Sequence, residues 1–147
     1  GTEEIIETTE ELKRGLRQDL VTGGLDHDEY KETKLGPRPV RIPEAWEVET
    51  VGEVAEVVTG STPDTDNEEY FGGDIVWVTP TDITGTEGPY LHDSERKITE
   101  EALDNCSATL MEPGAVLVTT RATIGATAIN TVPATTNRSM SSFSLSL

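Results

Sequence analysis

Ser61, Thr62, Thr79, Thr81, Arg121, Thr123, Asn137 and Arg138 are the side chains whose chemistry is most worth weighing, and they stand at the ends of apolar runs or beside turn residues. Hydroxyl, amide and guanidinium groups in such places hydrogen-bond base edges or phosphate oxygens, which is recognition and not bond-making. Most of them fall in residues 60–83, GSTPDTDNEEYFGGDIVWVTPTDI, and residues 118–129, VTTRATIGATAI. In both segments a β-rich run delivers polar residues to a tight turn. The competing account is that threonine simply favours strands and that Arg121 pairs with a carboxylate.

Other constellations fall short of a site. Cys106 is the single cysteine, and His27 and His92 lie in polar loops without a local catalytic motif, so a cysteine nucleophile is not expected. Residues 64–69, DTDNEE, begin like a calcium loop but lack glycine at the sixth position and glutamate at the twelfth, where Ile75 stands. A solvated acidic loop is the expectation there. Neither a GxxxxGK[ST] loop nor a GxGxxG after a strand occurs, which argues against nucleotide hydrolysis.

The elements that must position the polar residues follow from periodicity. Residues 3–22 read as a helix, with Leu12, Leu16 and Leu20 on a narrow stripe and Gly23 and Gly24 as the stop. That seam must pack on its own domain, a second helix or another subunit. Residues 25–43, with Gly36, Pro37, Pro39 and Pro43, predict an extended connector. Residues 45–51 alternate as a short strand, and Val51, Val54, Ala55 and Val58 share one face of a short helix over 51–58. Residues 74–78, DIVWV, predict a strand with Trp77 in or near the core, leaving Thr79, Thr81 and Asp82 at its mouth. Thr99 caps a predicted helix that ends near Asn105, with Ile98 and Leu103 as a hydrophobic staple. Pro113 and Gly114 turn into a strand over 115–120, and after residues 121–125 a second strand over 126–129 completes a hairpin. The end, TTNRSMSSFSLSL, alternates like a strand that has not reached its partner elements.

Length and composition bound the whole. A chain of 147 residues accommodates one compact domain with an appended helix, and 34% hydrophobic residues make for a lean core. There is no apolar run of transmembrane length and the first residues are acidic without a secretory core, so a cytoplasmic protein is expected, with no membrane partner. The lone cysteine excludes an internal disulfide and any multi-cysteine zinc site. The net charge of -17 argues against a polyanionic partner, because phosphate contacts need Lys and Arg. Its distribution softens that argument: after Asp104 the sole acid is Glu112, against Arg121 and Arg138. Such an excess of acids, with few lysines, predicts a surface adapted to high salt.

At this point the ordered motifs resemble one known family, the specificity subunits of type I restriction-modification systems. GLRQDLVTGG is similar to the end of that family's long conserved spacer helix. KETKLGP and IPEAWEVETVGEVAEVVTGSTP resemble the lead into a target recognition domain, YFGGDIVWVTPTDI its first strand motif, and ERKITEEALDNCSATLMEPGAVLVTTRATIGATAIN with PATTN its middle. The resemblance implies an α+β target recognition domain of short helices and a β-rich twisted sheet: residues 1–24 end the spacer helix, 25–42 form a linker, and 43–147 form the recognition domain, C-terminally incomplete.

It also implies a subunit without chemistry of its own, reading part of a split target in double-stranded DNA. Methyltransferase (M) subunits, using S-adenosylmethionine, would perform adenine methylation, and restriction (R) subunits, using ATP and Mg, would join in the full complex; no cofactor is expected in this chain. The resemblance gives Leu12, Leu16 and Leu20 a partner in the second spacer helix and the methyltransferase, and places Thr79, Thr81, Arg121 and Thr123 on or near the side facing DNA. The start at Gly1 without an initiator Met and the unfinished domain support an alternative, a truncated fragment that binds the methyltransferase without reading DNA.

The acidic surface generates the first prediction. At roughly 1 M salt the Debye length is ~3 Å, so self-repulsion is screened there and unscreened in dilute buffer. Circular dichroism at falling salt should show loss of structure, and a full spectrum in dilute buffer would count against the high-salt reading.

Overall fold

Leu12, Leu16 and Leu20 recur every fourth residue in a charged run, and in the computed structural model, which describes residues 2–145, that run is helix α1, Thr2–Gly23. Its stop is Gly24 in the left-handed region (φ 67), whose N–H reaches Leu20 O at 3.1 Å. The three leucines are 64, 54 and 44% exposed, so nothing within the first unit covers the seam. The described structure divides after Val48 into two compact units.

The first unit completes itself with a hairpin where the sequence predicted an extended connector. Strands β1 (Tyr30–Leu35) and β2 (Arg38–Pro43) pair antiparallel in continuous register from Tyr30–Pro43 to Leu35–Arg38. Gly36 (φ 64) followed by Pro37 makes the two-residue turn, a glycine-first pattern whose twist suits a hairpin. The prolines that argued against regular structure sit on a two-stranded ribbon, where an edge has no use for their missing N–H. Arg41 lies over the Tyr30 ring at 4.6 Å, and the Tyr30 hydroxyl donates to Gly23 O at 3.2 Å.

In the second unit the predicted strand over 45–51 and helix over 51–58 are both corrected. Residues 45–50 form no strand; Thr50 instead caps a single turn, α2 (Val51–Val54), and the chain then extends as β3 (Ala55–Thr59). The Thr50 N–H and hydroxyl, at 2.7 and 2.8 Å from Glu53 Oε2, hold that carboxyl below the usual carboxylate range. Beyond Ala55 the β-branched Val57, Val58 and Thr59 favour a strand, and a pairing partner decides the matter. A 3-10 turn at Glu68–Tyr70 leads into β4 (Phe71–Val78), followed by α3 (Pro80–Gly85), β5 (Tyr90–Leu91), β6 (Lys97–Ile98) and α4 (Glu100–Asn105). The remainder is β7 (Val116–Thr119), β8 (Thr127–Asn130), β9 (Ala134–Thr136) and β10 (Met140–Leu145).

These strands make two sheets, giving an α+β architecture of short helices on mixed sheets. One has the order β3-β10-β7-β8-β5 and the other β6-β4-β9, with β4 parallel to β9 and antiparallel to β6. The terminal strand β10, predicted to be unpartnered, lies between β3 and β7 and pairs with both. The predicted hairpin is present as β7 and β8, with Val116 opposite Ile129. Helix α4 keeps its Thr99 cap, which accepts from Ala102 N at 3.3 Å, and Leu103 packs with buried Ile98 as the staple requires.

The end of strand β4, Val76–Val78, is buried on both faces. Its period of two sends Val76 and Val78 into a cluster with Ile83, Leu91, Met111, Leu117 and Met140, and sends Trp77 into a second with Ile98 and Ala102. A bulge between Phe71 and Ile75, both opposite Ile98, sets the Phe71 and Trp77 rings edge to face at 6.0 Å. The Gly73 backbone passes so close to Ile98 that a β-carbon would strike it. Buried Asn130 ties loops together: Oδ1 accepts from Ala115 N at 2.8 Å, and Nδ2 donates to Val132 O and Glu112 O at 2.9 and 3.0 Å.

Two buried hydroxyls, Thr135 Oγ1 and Ser142 Oγ, have no hydrogen-bond partner among the described residues. A buried polar group left unpaired costs about 1–3 kcal/mol, so Thr135→Val, which keeps the shape, should be neutral or raise stability in urea unfolding. Trp77→Ala should lower it by about 3–5 kcal/mol, and a loss under 1 kcal/mol would mean that the second cluster is not a core.

Candidate functional site

The register places one end of both sheets together. The C-terminal ends of β3, β4, β7 and β9 and the N-terminal end of β10 meet, because Thr59 pairs with Ser141, Thr119 with Met140 and Val78 with Thr136. Polar residues that are remote in sequence follow these strand ends, so the rim is made by topology.

Its centre is a corner of backbone hydrogen bonds. Gly60 N donates to Met140 O at 3.1 Å, Ser61 N to Thr136 O at 2.9 Å, and Asn137 N to Val78 O at 2.9 Å. The Gly60 backbone lies so close to Thr136 and Asn137 that a β-carbon would collide with Asn137 O and with the carbonyl and hydroxyl oxygens of Thr136. The corner therefore accepts only glycine in this backbone position. Arg138 N reaches Thr62 Oγ1 at 3.4 Å, and Ser139 N reaches Asn137 Oδ1 at 2.9 Å. Thus the hydroxyl of Thr62 and the amide oxygen of Asn137 shape the turn, while the Asn137 NH2 and the exposed Arg138 guanidinium make no hydrogen bond or ion pair with a described residue.

Thr79 and Thr81 occupy a helix start that the sequence reading left as a strand mouth. Pro80 supplies the fixed φ suited to a first helical position, and Asp82 closes the turn by accepting from Thr79 N at 2.7 Å and from Thr79 Oγ1 at 2.6 Å. The other Asp82 oxygen accepts from Glu95 N at 2.8 Å. Thr79 is thereby committed to the scaffold, and exposed Thr81 is presented to solvent on the first turn of α3.

Arg121 and Thr123 ride on the β7–β8 loop, which reaches the corner through Thr120: its N–H and hydroxyl both donate to Ser139 O, at 2.8 and 3.0 Å. Buried Thr119 organises the loop. Its hydroxyl donates to Thr123 O and accepts from Ala126 N at 3.0 Å, and Gly125 N closes on Thr119 O at 2.9 Å. Ala122 (φ 61) takes the left-handed conformation that a non-glycine residue adopts reluctantly. The outcome is a pinned loop that exposes Arg121, Thr123 and Ile124. Arg121 is not paired with a carboxylate among the described residues, which removes the competing account of it.

All eight polar candidates are therefore at one rim, whereas Leu12, Leu16 and Leu20 belong to the first unit. Sequence reasoning missed the part of Thr119, whose neighbours in a TT pair gave no sign of which hydroxyl turns inward, and that of Asp82 as a tie to residue 95. Cys106 is half-buried at the end of α4, and His92 Nδ1 lies 2.7 Å from Thr131 Oγ1. In the acidic loop, Asp64 Oδ1 accepts from Asp66 N and Asn67 Oδ1 from Glu69 N, as self-capped turns do. Among the described residues no group of three or more His, Cys, Asp or Glu could hold a metal, and no helix is long and apolar enough to cross a membrane.

Comparison with known proteins agrees with this architecture. Residues 43–146 match the family model described as the type I restriction modification DNA specificity domain. Over 110 residues the chain is 44% identical to the type I restriction enzyme MjaIX specificity subunit of Methanocaldococcus jannaschii, covering 75% of this chain and 24% of that one. It thus spans about a quarter of that curated relative's length. Among solved structures, the HsdS subunit of Thermoanaerobacter tengcongensis superposes with a TM-score of 0.52 at 18% identity, covering 97% of this chain and 33% of that one. A chain from a structural study of complex assembly and conformational transition in the type I R-M system gives the same TM-score at 19% identity, covering 97% and 34%. At such identities these two comparisons speak for the fold.

Two substitutions test how the rim is built. Gly60→Ala should open the corner and lower the melting temperature; an unchanged melting temperature would show that the corner relaxes freely. Thr119→Val keeps the shape and deletes the hydroxyl, at a cost of about 1–3 kcal/mol. Hydrogen exchange at residues 120–126 should accelerate selectively.

Proposed function

Since the chain belongs to the type I restriction modification DNA specificity family, we propose that it reads a DNA sequence through the rim formed by Ser61, Thr62, Thr79, Thr81, Arg121, Thr123, Asn137 and Arg138. The observation that carries this reading is the convergence of those residues, with Arg121 and Arg138 unclaimed by any carboxylate among the described residues, at one end of two sheets in a chain of net charge -17.

The mechanism is placement. Exposed Arg121 supplies a planar fork suited to guanine O6 and N7, Thr81 and Thr123 serve base edges or phosphates, and the Asn137 NH2, which no described residue engages, donates to an acceptor. Thr62 and Thr79 act at one remove, through the turns they hold. No step of bond-making is assigned to this chain. Methyltransferase subunits carrying S-adenosylmethionine would flip and methylate an adenine in the DNA so placed, and ATP- and Mg-dependent restriction subunits would join them.

The seam of Leu12, Leu16 and Leu20, uncovered within its own unit, fits the other half of this function. An apolar stripe on a 22-residue charged helix suits packing against another helix, and we assign it to the methyltransferase and a second spacer helix. The acid excess suits a cytoplasm of high salt, where screening weakens phosphate attraction and leaves selectivity to hydrogen bonds of short range.

The test is co-purification with the methyltransferase subunit, then DNA binding at fixed salt. Arg121→Ala should cost about 1–3 kcal/mol of discrimination at one base position, and unchanged affinity and preference would remove it from the site. Leu16→Glu should abolish co-purification while the second unit stays folded. A wild-type complex that co-purifies but shows no sequence preference would refute DNA reading and leave only the docking role.

A further inference from the structure

The second unit contains four basic residues, Arg96, Lys97, Arg121 and Arg138, and Arg96 belongs to no element considered so far. Lys97 pairs with Asp93 at 3.2 Å. Arg96 does not pair with a carboxylate among the described residues, although it follows Glu95 in a strongly acidic segment. Its guanidinium lies over the Phe71 ring at 4.3 Å from the centroid and near the Trp77 ring at 5.4 Å.

A guanidinium held over an aromatic ring spends none of its N–H donors on that contact, so they remain available to a partner as a fork. Contact with two rings restricts the side chain, so part of the ordering cost of binding is met before a partner arrives. Two ties place this fork beside the rim. The Trp77 indole N–H donates to Ser61 O at 3.1 Å, and Glu95 N donates to Asp82, the residue that closes the Thr79–Thr81 turn. A third bond, Ser94 Oγ to Arg96 O at 2.6 Å, holds the backbone beneath it, while the same hydroxyl accepts from Trp77 N at 3.1 Å.

We propose that Arg96 is a further DNA-contacting residue, whose guanidinium, pre-set by Phe71 and Trp77, donates in bidentate fashion to a pair of adjacent acceptors on the duplex, either two phosphate oxygens or a guanine edge. This rests on the rim being the DNA-reading face. Arg96 is part of it because one aromatic ring, Trp77, supports both Arg96 and Ser61.

The test uses the complex with its methyltransferase subunit and DNA carrying the recognition sequence read from wild-type methylation. Arg96→Met keeps an apolar cover on the rings and removes the donors; Arg96→Lys keeps the charge and removes the planar fork. Each is measured for melting temperature, affinity over a salt series and methylated sequence. With melting unchanged, either variant should bind about tenfold more weakly. A loss equal on all sequences, with a salt slope in the Met variant reduced by about 1, identifies phosphate; a loss confined to the cognate site with one relaxed base identifies guanine. Wild-type affinity and preference in either folded variant overturns the proposal. A wild-type complex that itself lacks sequence preference fails earlier, taking the rim reading and this one together.

Discussion

Everything at the rim depends on how closely the backbone at Gly60 approaches the Thr136–Asn137 segment. That approach joins the end of β3, in the five-stranded sheet, to the end of β9, in the three-stranded one, and Asn137 N passes the connection on to β4 through Val78 O. With a side chain in the way, Ser61 N could not reach Thr136 O, and the loop bearing Arg138 would have no fixed height above Thr62. A single glycine thus makes two sheets share one polar edge. Function follows from this constraint, because recognition needs groups held to within a hydrogen bond's tolerance and loops anchored at one end alone do not provide that.

Strand β4 supports that edge from beneath. With Val76–Val78 buried on both faces, it has no freedom to slip: a shift of one residue would exchange Val76 and Val78 for Trp77 and invert both clusters. Its exit is fixed as firmly, since Pro80 and Asp82 turn the chain into α3 within two residues of Val78. The polar residues following it are consequently as well placed as core residues, though they face water.

The parts that were legible in the sequence are those whose causes are local. A period of two in DIVWV, a cap at Thr99 with its staple, and a Pro-Gly turn before AVLV each carried their own signal, and all three elements are present. Val51, Val54, Ala55 and Val58 misled because helical spacing does not show what lies opposite; the answer, β10, is about 85 residues away and pairs with Val57 and Val58. Long separation also hid the corner, whereas the contact of Arg96 with Phe71 and Trp77 was hidden by the bulge at Gly72 and Gly73 that brings those two rings together. Residue types marked these positions as polar turn residues, but not which hydroxyls hold the turns and which face solvent.

The remaining difficulty is charge. A protein at -17 repels a polyanion at long range, yet contact is decided over a few ångströms, and there the distribution matters more than the sum. Asp82, the acid bonded within the α3 turn of the rim, has its oxygens occupied by Thr79 and by Glu95 N, so part of its charge is already answered by protein donors. Arg121 and Arg138 stand in the segment after Asp104 where Glu112 is the sole acid, and neither is neutralised by a described neighbour. Screening by salt lowers the long-range repulsion and leaves directed hydrogen bonds at short range much less affected. Under the proposed DNA-reading role, an acidic surface with a few arginines unpaired among the described residues would exchange non-specific attraction for selectivity: it would gain little from an arbitrary duplex, and a larger share of its binding would come from the acceptors that the rim meets.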